Sequence, residues 1–365
     1  MERSTLIFNL FLTLASGIAF GLLAAKLKVP GGLMIGAIIG AALLNILSGA
    51  GYMPRFAKTT VQIIAGAFIG CSLERGDIKR LPKILKPMLI MLGGFFTLTV
   101  LAGFVIHTVS PLDWATAFMS AVPGGISDTP IIAADMGADT PKVAVMQTAR
   151  LIFGLGVFPS LILTYDTRRL KRNAPPEVPK PAGEKRAASG VLPKRKPFAQ
   201  SWLSCAATLA AGSIAGIFGR LTPIPAGAFV FSIIAVLILK LLFDFAWIPR
   251  RIKQCAQVLS GCYVGAGIFL QDVLEMRYLA LPLAVIIAGY MANCFLTGKI
   301  IQKFCGFTRR ESMLITIPAG ASDMALIASD LGVENPDIMI LQVTRLLAVM
   351  TLFPQAIHLI LIIVS

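Results

Sequence analysis

Charge is scarce in this chain. Asp, Glu, Lys and Arg together make up 14% of its 365 residues, against about 25% in a soluble globular domain. That shortage excludes a water-bathed surface over most of the molecule. Histidine is scarcer still. His107 and His358 are the only two, and they lie far apart at segment ends, too few for a copper or zinc centre. The six cysteines (Cys71, Cys205, Cys255, Cys262, Cys294 and Cys305) form no CxxC pair. Most sit in apolar runs, where cysteine acts as a small hydrophobe, so neither a disulfide framework nor a metal site is expected. A phosphate-binding loop ending in Gly-Lys-Ser/Thr is also absent, which argues against ATP drive.

What fills the chain instead is apolar sequence, 56% of the residues. Segments long enough to cross a ~30 Å hydrocarbon layer recur along it. Spans are predicted at about 5–25, 29–48, 57–73, 87–108 and 142–165, then 201–219, 225–246, 254–270, 278–298 and 338–364. The short alternating strands of a membrane barrel do not appear. An all-α polytopic membrane protein of about ten spans is expected. The net charge of +15 would suit nucleic acid, but the basic residues cluster in short loops and one linker, as in the cytoplasmic loops of membrane proteins. The first 25 residues superficially resemble a signal peptide. They are expected to stay as the first helix, because Gly21 aligns with Gly216.

That alignment is part of a duplication. PGGISDTPIIAAD at 123–135 answers PAGASDMALIASD at 318–330. The offset of 195 residues holds without a gap at Pro30/Pro225, Pro54/Pro249, Gln62/Gln257, Gly66/Gly261, Gln147/Gln342, Arg150/Arg345 and Pro159/Pro354. Such doubling in an apolar chain is the pattern of carriers built from two structural repeats. The division reads as membrane repeat 1 at 1–165, a Pro-rich basic linker at 166–200 and membrane repeat 2 at 201–365. The linker composition predicts an extended or disordered tether.

Loop charge sets the expected orientation. Loop 74–86 carries Arg75, Lys79, Arg80, Lys83 and Lys86, whereas its counterpart 269–281 carries Arg277 alone. The loop between His107 and Asp113 has no Lys or Arg, whereas its counterpart is flanked by Lys299, Lys303, Arg309 and Arg310. Positive residues stay cytoplasmic, so the repeats are expected in opposite orientations, with both termini outside and the linker cytoplasmic. Arg55 and Lys58 go against this scheme, since they fall outside.

Each repeat also holds an interrupted segment, 112–137 and 310–332, broken at PGGISD and PAGASD. Proline removes a helix donor and glycine loosens the backbone. A re-entrant hairpin is expected, with a first arm at about 113–121, Ser127 or Asp128 capping a second arm, and Gly137 ending it. The second arm, about 12 Å long, would bring its tip near mid-membrane, where irregular backbone is tolerated only against protein or a wet cavity. Candidate substrate ligands are Gly125, Ser127, Gln147 and Arg150, with Gly320, Ser322, Gln342 and Arg345. Candidate ion-coupling carboxylates are Asp128 and Asp323 beside the breaks. Asp135 and Asp330, beside the terminating glycines, are expected to be the more solvated pair. Arg150 would either pair with Asp128 or Asp135 and brace the hairpin, or hold an anion. Gln62 and Gln257 would line a cavity or bond a neighbouring helix.

The doubled PGGxSD/PxGASD segment and the trailing Gln-x-x-Arg resemble the bacterial AbrB duplication family, over essentially the whole chain. That family is similar to a distant branch of the cation/proton antiporter and anion transporter superfamily. The resemblance implies inverted repeats with broken helices meeting at a substrate site in the inner membrane. Some members carry the label of a regulator of gene expression, others of an ammonia monooxygenase, yet no DNA-reading motif and no copper ligand set appears here. The residues and the resemblance together predict a secondary active transporter, not an enzyme. It would carry a small anionic organic solute coupled to H⁺ or Na⁺, with no cofactor. Its partners would be the solute and membrane lipid, not nucleic acid, with a homodimer as an open alternative. The rival reading is a membrane-embedded, ligand-sensing regulator acting through the linker.

Overall fold

The structure is a computed structural model that describes residues 2–27, 29, 31–73, 75–78, 80–154, 198–318 and 335–364. Every regular element among them is helical. The first copy comprises α1 (Glu2–Lys26), α2 (Gly32–Ser48), α3 (Arg55–Gly70), α4 (Arg75–Ile78), α5 (Leu81–Val109), α6 (Trp114–Ala121) and α7 (Thr129–Ala133). A helix α8 covers 140–154 of the described residues. The second copy comprises α9 (Phe198–Arg220), α10 (Gly227–Phe243), α11 (Arg250–Gly265), α12 (Leu270–Glu275), α13 (Ala280–Cys305), α14 (Arg309–Ile315) and α15 (Pro336–Val364).

Five stretches, Thr5–Lys26, Pro82–Val109, Trp202–Arg220, Leu270–Cys305 and Asp337–Val364, are long and apolar enough to cross a membrane. Helices α2 and α10 are apolar but shorter, at 17 residues. Helices α3 and α11 are 16 residues each, or about 24 Å, and begin on Arg55 and Arg250. The expected segments 57–73 and 254–270 are thus shifted toward polar starts and are short of a full crossing. The apolar helices turn much of their surface outward: Phe11 is 68% exposed, Leu47 82% and Ile363 83%. Apolar area on this scale fits a membrane-embedded protein.

The duplication is visible down to backbone angles. Helices α2 and α10 begin and end at equivalent residues, as do α3 and α11. Gly31 precedes α2 in the left-handed region at φ 67°, and its equivalent Ala226 precedes α10 at φ 55°. Gly49 and Asp244 close the same two helices at φ 64° and 50°. Thr13 Oγ1 accepts the Tyr52 N–H at 3.1 Å, and Thr208 Oγ1 accepts the Trp247 N–H at 3.0 Å. Asp113 caps α6, and the equivalent Thr308 caps α14.

The copies do not fold side by side. Helix α3 packs on α10, and α11 packs on α2. Gly66 makes the first crossing possible, since a Cβ there would lie 2.6 Å from the Phe229 carbonyl oxygen. Gly261 does the same at 2.6 Å from the Met34 oxygen. These contacts are reciprocal, residue for residue. They gather α1, α2, α3, α9, α10 and α11 into one bundle. The other bundle holds α5, α6, α13, α14 and α15 around Phe95, Phe118, Tyr290 and Met350. The interruption after α6 lies between the bundles, with α7 touching α6 on one side and α3 and α11 on the other.

Equivalent positions with different residues give a direct test. Gly31→Ala forces a side chain into the left-handed region and should cost about 1–2 kcal/mol. Ala226→Gly removes that strain at some cost in unfolded-state entropy, so it should be neutral or gain up to about 1 kcal/mol. Thermal unfolding of both purified variants in detergent reads the opposite signs.

Candidate functional site

A helix that stops inside a membrane protein leaves its last carbonyls without partners. Helix α6 stops at Ala121, followed by Val122-Pro123-Gly124-Gly125, which cannot continue it. Helix α8 supplies the missing donors. Gln147 Nε2 donates to the carbonyls of Met119 and Val122, both at 3.1 Å. Arg150 Nη1 donates to Val122 O at 2.8 Å and Nη2 to Gly124 O at 2.5 Å. The Tyr290 hydroxyl donates to Ala121 O at 2.9 Å, and the Arg150 guanidinium sits 5.7 Å from the Tyr290 ring centroid. The second copy repeats the arrangement. Gln342 Nε2 donates to Leu314 O at 2.8 Å, Arg345 Nη1 to Ile317 O at 2.8 Å, and the Arg345 guanidinium lies 5.8 Å from the Phe95 centroid.

This corrects the expected partners of Arg150. No carboxylate of the described residues pairs with it. It is 3% exposed and its terminal nitrogens are directed at main-chain oxygens, so it braces the break without an aspartate. A buried charge costs at least about 2.5–3.5 kcal/mol in a membrane. Here the negative end of α6, the carbonyls and an aromatic face offset that cost. Gln147, fully buried, works on the same carbonyls.

The carboxylates are held elsewhere. Asp135 is exposed, as expected, and it also forms an ion pair with Lys58 at 2.5 Å and accepts a hydrogen bond from Gln62 Nε2 at 2.5 Å. Asp128 stands at the N-cap position of α7 but does not cap it: its backbone is helical and its side chain accepts no bond from the first turn. Gly125 lets that carboxylate close in, since a Cβ there would lie 2.6 Å from Asp128 Oδ2. Asp128 and Ser127 border a cavity of about 50 Å³ with Val61, Phe68, Lys253 and Gln257. Gln257 Nε2 is 3.4 Å from Ser127 Oγ, and Ser260 Oγ donates to Ser127 O at 3.0 Å. Lys253 Nζ lies 4.2 Å from the Phe68 ring centroid. Gly320, Ser322, Asp323 and Asp330 lie outside the described residues, as does the linker up to residue 197.

Sequence reading missed Lys58 and Lys253. They are equivalent positions, each one turn before a repeated glutamine, on the same helix face. One pair meets the far end of the interruption of the first copy at Asp135; the other meets its near end at Ser127 and Asp128. The offset that revealed the glutamines also marks the lysines. Tyr290 and Phe95 are likewise equivalent, and no polar motif pointed to them.

A second, larger cavity of about 490 Å³ opens beside the Asp135 ion pair. The first turn of α3 and the segment joining α9 to α10 form its walls. Arg55, Lys58, Gln62, Asp135, Arg220 and His358 border it. Gln62 therefore fills both expected roles, bonding a neighbour and lining a cavity.

Arg150→Met should orphan the Gly124 carbonyl at about 1–3 kcal/mol and leave Val122 O to Gln147 and the Gly124 N–H. The variant should lose several degrees of apparent Tm, and Arg345→Met should lose stability as well. By contrast, Lys58→Met breaks a pair that is about a quarter exposed and should cost about 1 kcal/mol or less. Thermal unfolding ranks the three.

A family model described as transition state regulatory protein AbrB matches residues 1–166 and 172–361. "Uncharacterized protein YhjN" of Bacillus subtilis (strain 168) is 24% identical over 357 residues, 93% of this chain and 90% of the relative. "Putative regulator AbrB" of Escherichia coli (strain K12) is 23% identical over 346 residues, 92% of this chain and 91% of the relative. Neither name states a transported solute. With apolar helices that fit a membrane and a match along almost its whole length, the chain belongs to the AbrB family and is a membrane protein.

Proposed function

We propose that this protein is a secondary active transporter of a small anionic organic solute, driven by H⁺ or Na⁺ and working without enzymatic chemistry. The observation that carries the reading is the position of the first interruption. Residues 122–136 lie between two helix bundles, each assembled from both sequence copies. A break at such a junction is where relative movement of the bundles would expose a bound solute first to one side and then to the other. The moving parts are then mixed bundles, not one repeat against the other.

Reciprocal packing of α3 on α10 and α11 on α2 supports a two-fold relation between the copies. Combined with the swapped loop charges, it supports inverted repeats, about ten crossings if the shorter helices are counted, and both termini outside an inner membrane. The 166–200 linker is then cytoplasmic. Arg150 and Arg345 keep the breaks in shape, with Gln147 and Gln342, while Asp128 is the leading coupling carboxylate. Among the described residues no cation lies within ion-pair distance of it, and it faces the small cavity. Asp323 takes the same role by equivalence.

The regulator reading draws on the names of the family and of one relative. It places the output in the linker instead of in flux.

Reconstituted into liposomes and screened with C2–C6 carboxylates under an imposed proton or Na⁺ gradient, the wild type should show gradient-driven uptake. Asp128→Asn should abolish that uptake while the protein still elutes as a single species with a near-normal Tm. Wild-type uptake by Asp128→Asn would remove the coupling role. Deleting 172–196 should leave flux intact. If flux is absent throughout and the deletion abolishes a cellular response, the regulator reading takes over.

A further inference from the structure

The 490 Å³ cavity carries a charge pattern that the arrangement at the breaks does not use. Three permanent cations border it, Arg55, Lys58 and Arg220, against one carboxylate, Asp135. Asp135 is already committed to Lys58 and Gln62, which leaves the two arginines. Among the described residues neither arginine has an ion pair or a hydrogen bond. Both arginines are exposed to the solvent at this cavity, and the fork of each matches a carboxylate in two places. A volume of this size suits a small organic molecule. The Asp135 carboxylate, held in the cavity wall by a lysine and an amide donor, is an internal example of the group that the walls accept.

The backbone adds a second sign. Ala226 borders the cavity at φ 55°, although glycine serves at the equivalent position of the other copy. Strain of this kind persists only where surrounding structure enforces it, and it gathers at ligand sites. Gln355 Nε2 donates to Pro225 O at 2.8 Å, tying the segment between α9 and α10 to α15 one turn before His358.

The cavity also accounts for the charge-rule exception. Arg55 and Lys58 violate the positive-inside pattern, and both are cavity residues. Arg55 and Lys58 recur in the other copy as Arg250 and Lys253, but Arg220 has Ala25 at its equivalent position, so the third cation is peculiar to this cavity.

We infer that this cavity is a binding site for a small organic acid, with Arg55 and Arg220 holding its carboxylate groups and the Lys58–Asp135 pair forming the inner wall. The site deepens the transporter reading by giving its solute a class and a location, and it rests on that reading for its meaning. Binding itself does not need transport to occur.

The test is thermal stabilisation of the full-length protein in detergent by a panel running from acetate through succinate to citrate. Inorganic phosphate and sodium chloride at matched ionic strength serve as comparison arms. A ligand that binds the folded form raises its apparent stability. At least one carboxylate should stabilise the wild type saturably, beyond both comparison arms. In the Arg55→Gln/Arg220→Gln double variant its half-saturating concentration should rise at least ten-fold, while Arg277→Gln, on a different surface, should match the wild type. Equal stabilisation of the double variant would overturn the site. So would an equal response to phosphate or chloride, or no response to any carboxylate. Liposome flux is scored separately. Arginine-dependent binding without flux would sink the transporter reading and leave the site. Carboxylate flux indifferent to the double substitution would sink the site and leave the transporter.

Discussion

Capture of main-chain carbonyls by a buried guanidinium is the interaction on which this architecture depends. A helix can be interrupted away from water only if something accepts the obligation of its last hydrogen bonds. Here that partner is an Arg and a Gln one turn apart on the following helix, supplied independently in each copy. Without them α6 and α14 would end in unpaired oxygens, and the cheapest remedy would be to continue the helix and erase the break. An aromatic ring from the opposite copy, Tyr290 for Arg150 and Phe95 for Arg345, covers the face of each cation. The two breaks are therefore braced partly by each other's repeat.

That mutual dependence recurs on a larger scale. Glycines at equivalent positions let α3 cross α10 and α11 cross α2 at backbone contact distance. The halves are thereby sorted into two bundles that cut across the sequence boundary. The broken segment lies on the seam between them. This seam brings polar side chains and a cavity together in one place.

Much of the fold was legible because duplication supplies a second reading of every position. The offset marked the break, the Gln-x-x-Arg pair and the mid-helix glutamines, and each of these that lies among the described residues has a structural task. What was not legible depended on three-dimensional neighbours. A buried arginine in an apolar chain suggests a carboxylate partner, because ion pairing is the commoner remedy. Nothing in the local sequence says that the carbonyls of α6 lie closer than Asp128 does. Asp135 is exposed, as its place beside a terminating glycine suggested, but its partner Lys58, 77 positions earlier, reaches it from another helix and no local pattern names it. Arg55 and Lys58 looked like an inconsistency in the topology until the cavity gave them a common wall. The division into bundles was invisible for the same reason: periodicity shows which helices have apolar faces but not which of them meet.

The crossed pairing of α3 with α10 and of α2 with α11 has a consequence for biogenesis. As the first half leaves the ribosome, the grooves meant for α10 and α11 are still empty, with glycine-lined backbone exposed to lipid or to a chaperone. Maturation must wait for the second half to be synthesised and threaded between helices already in place. A chain split at the linker into two polypeptides would therefore have to be produced together, each half acting as the other's assembly template.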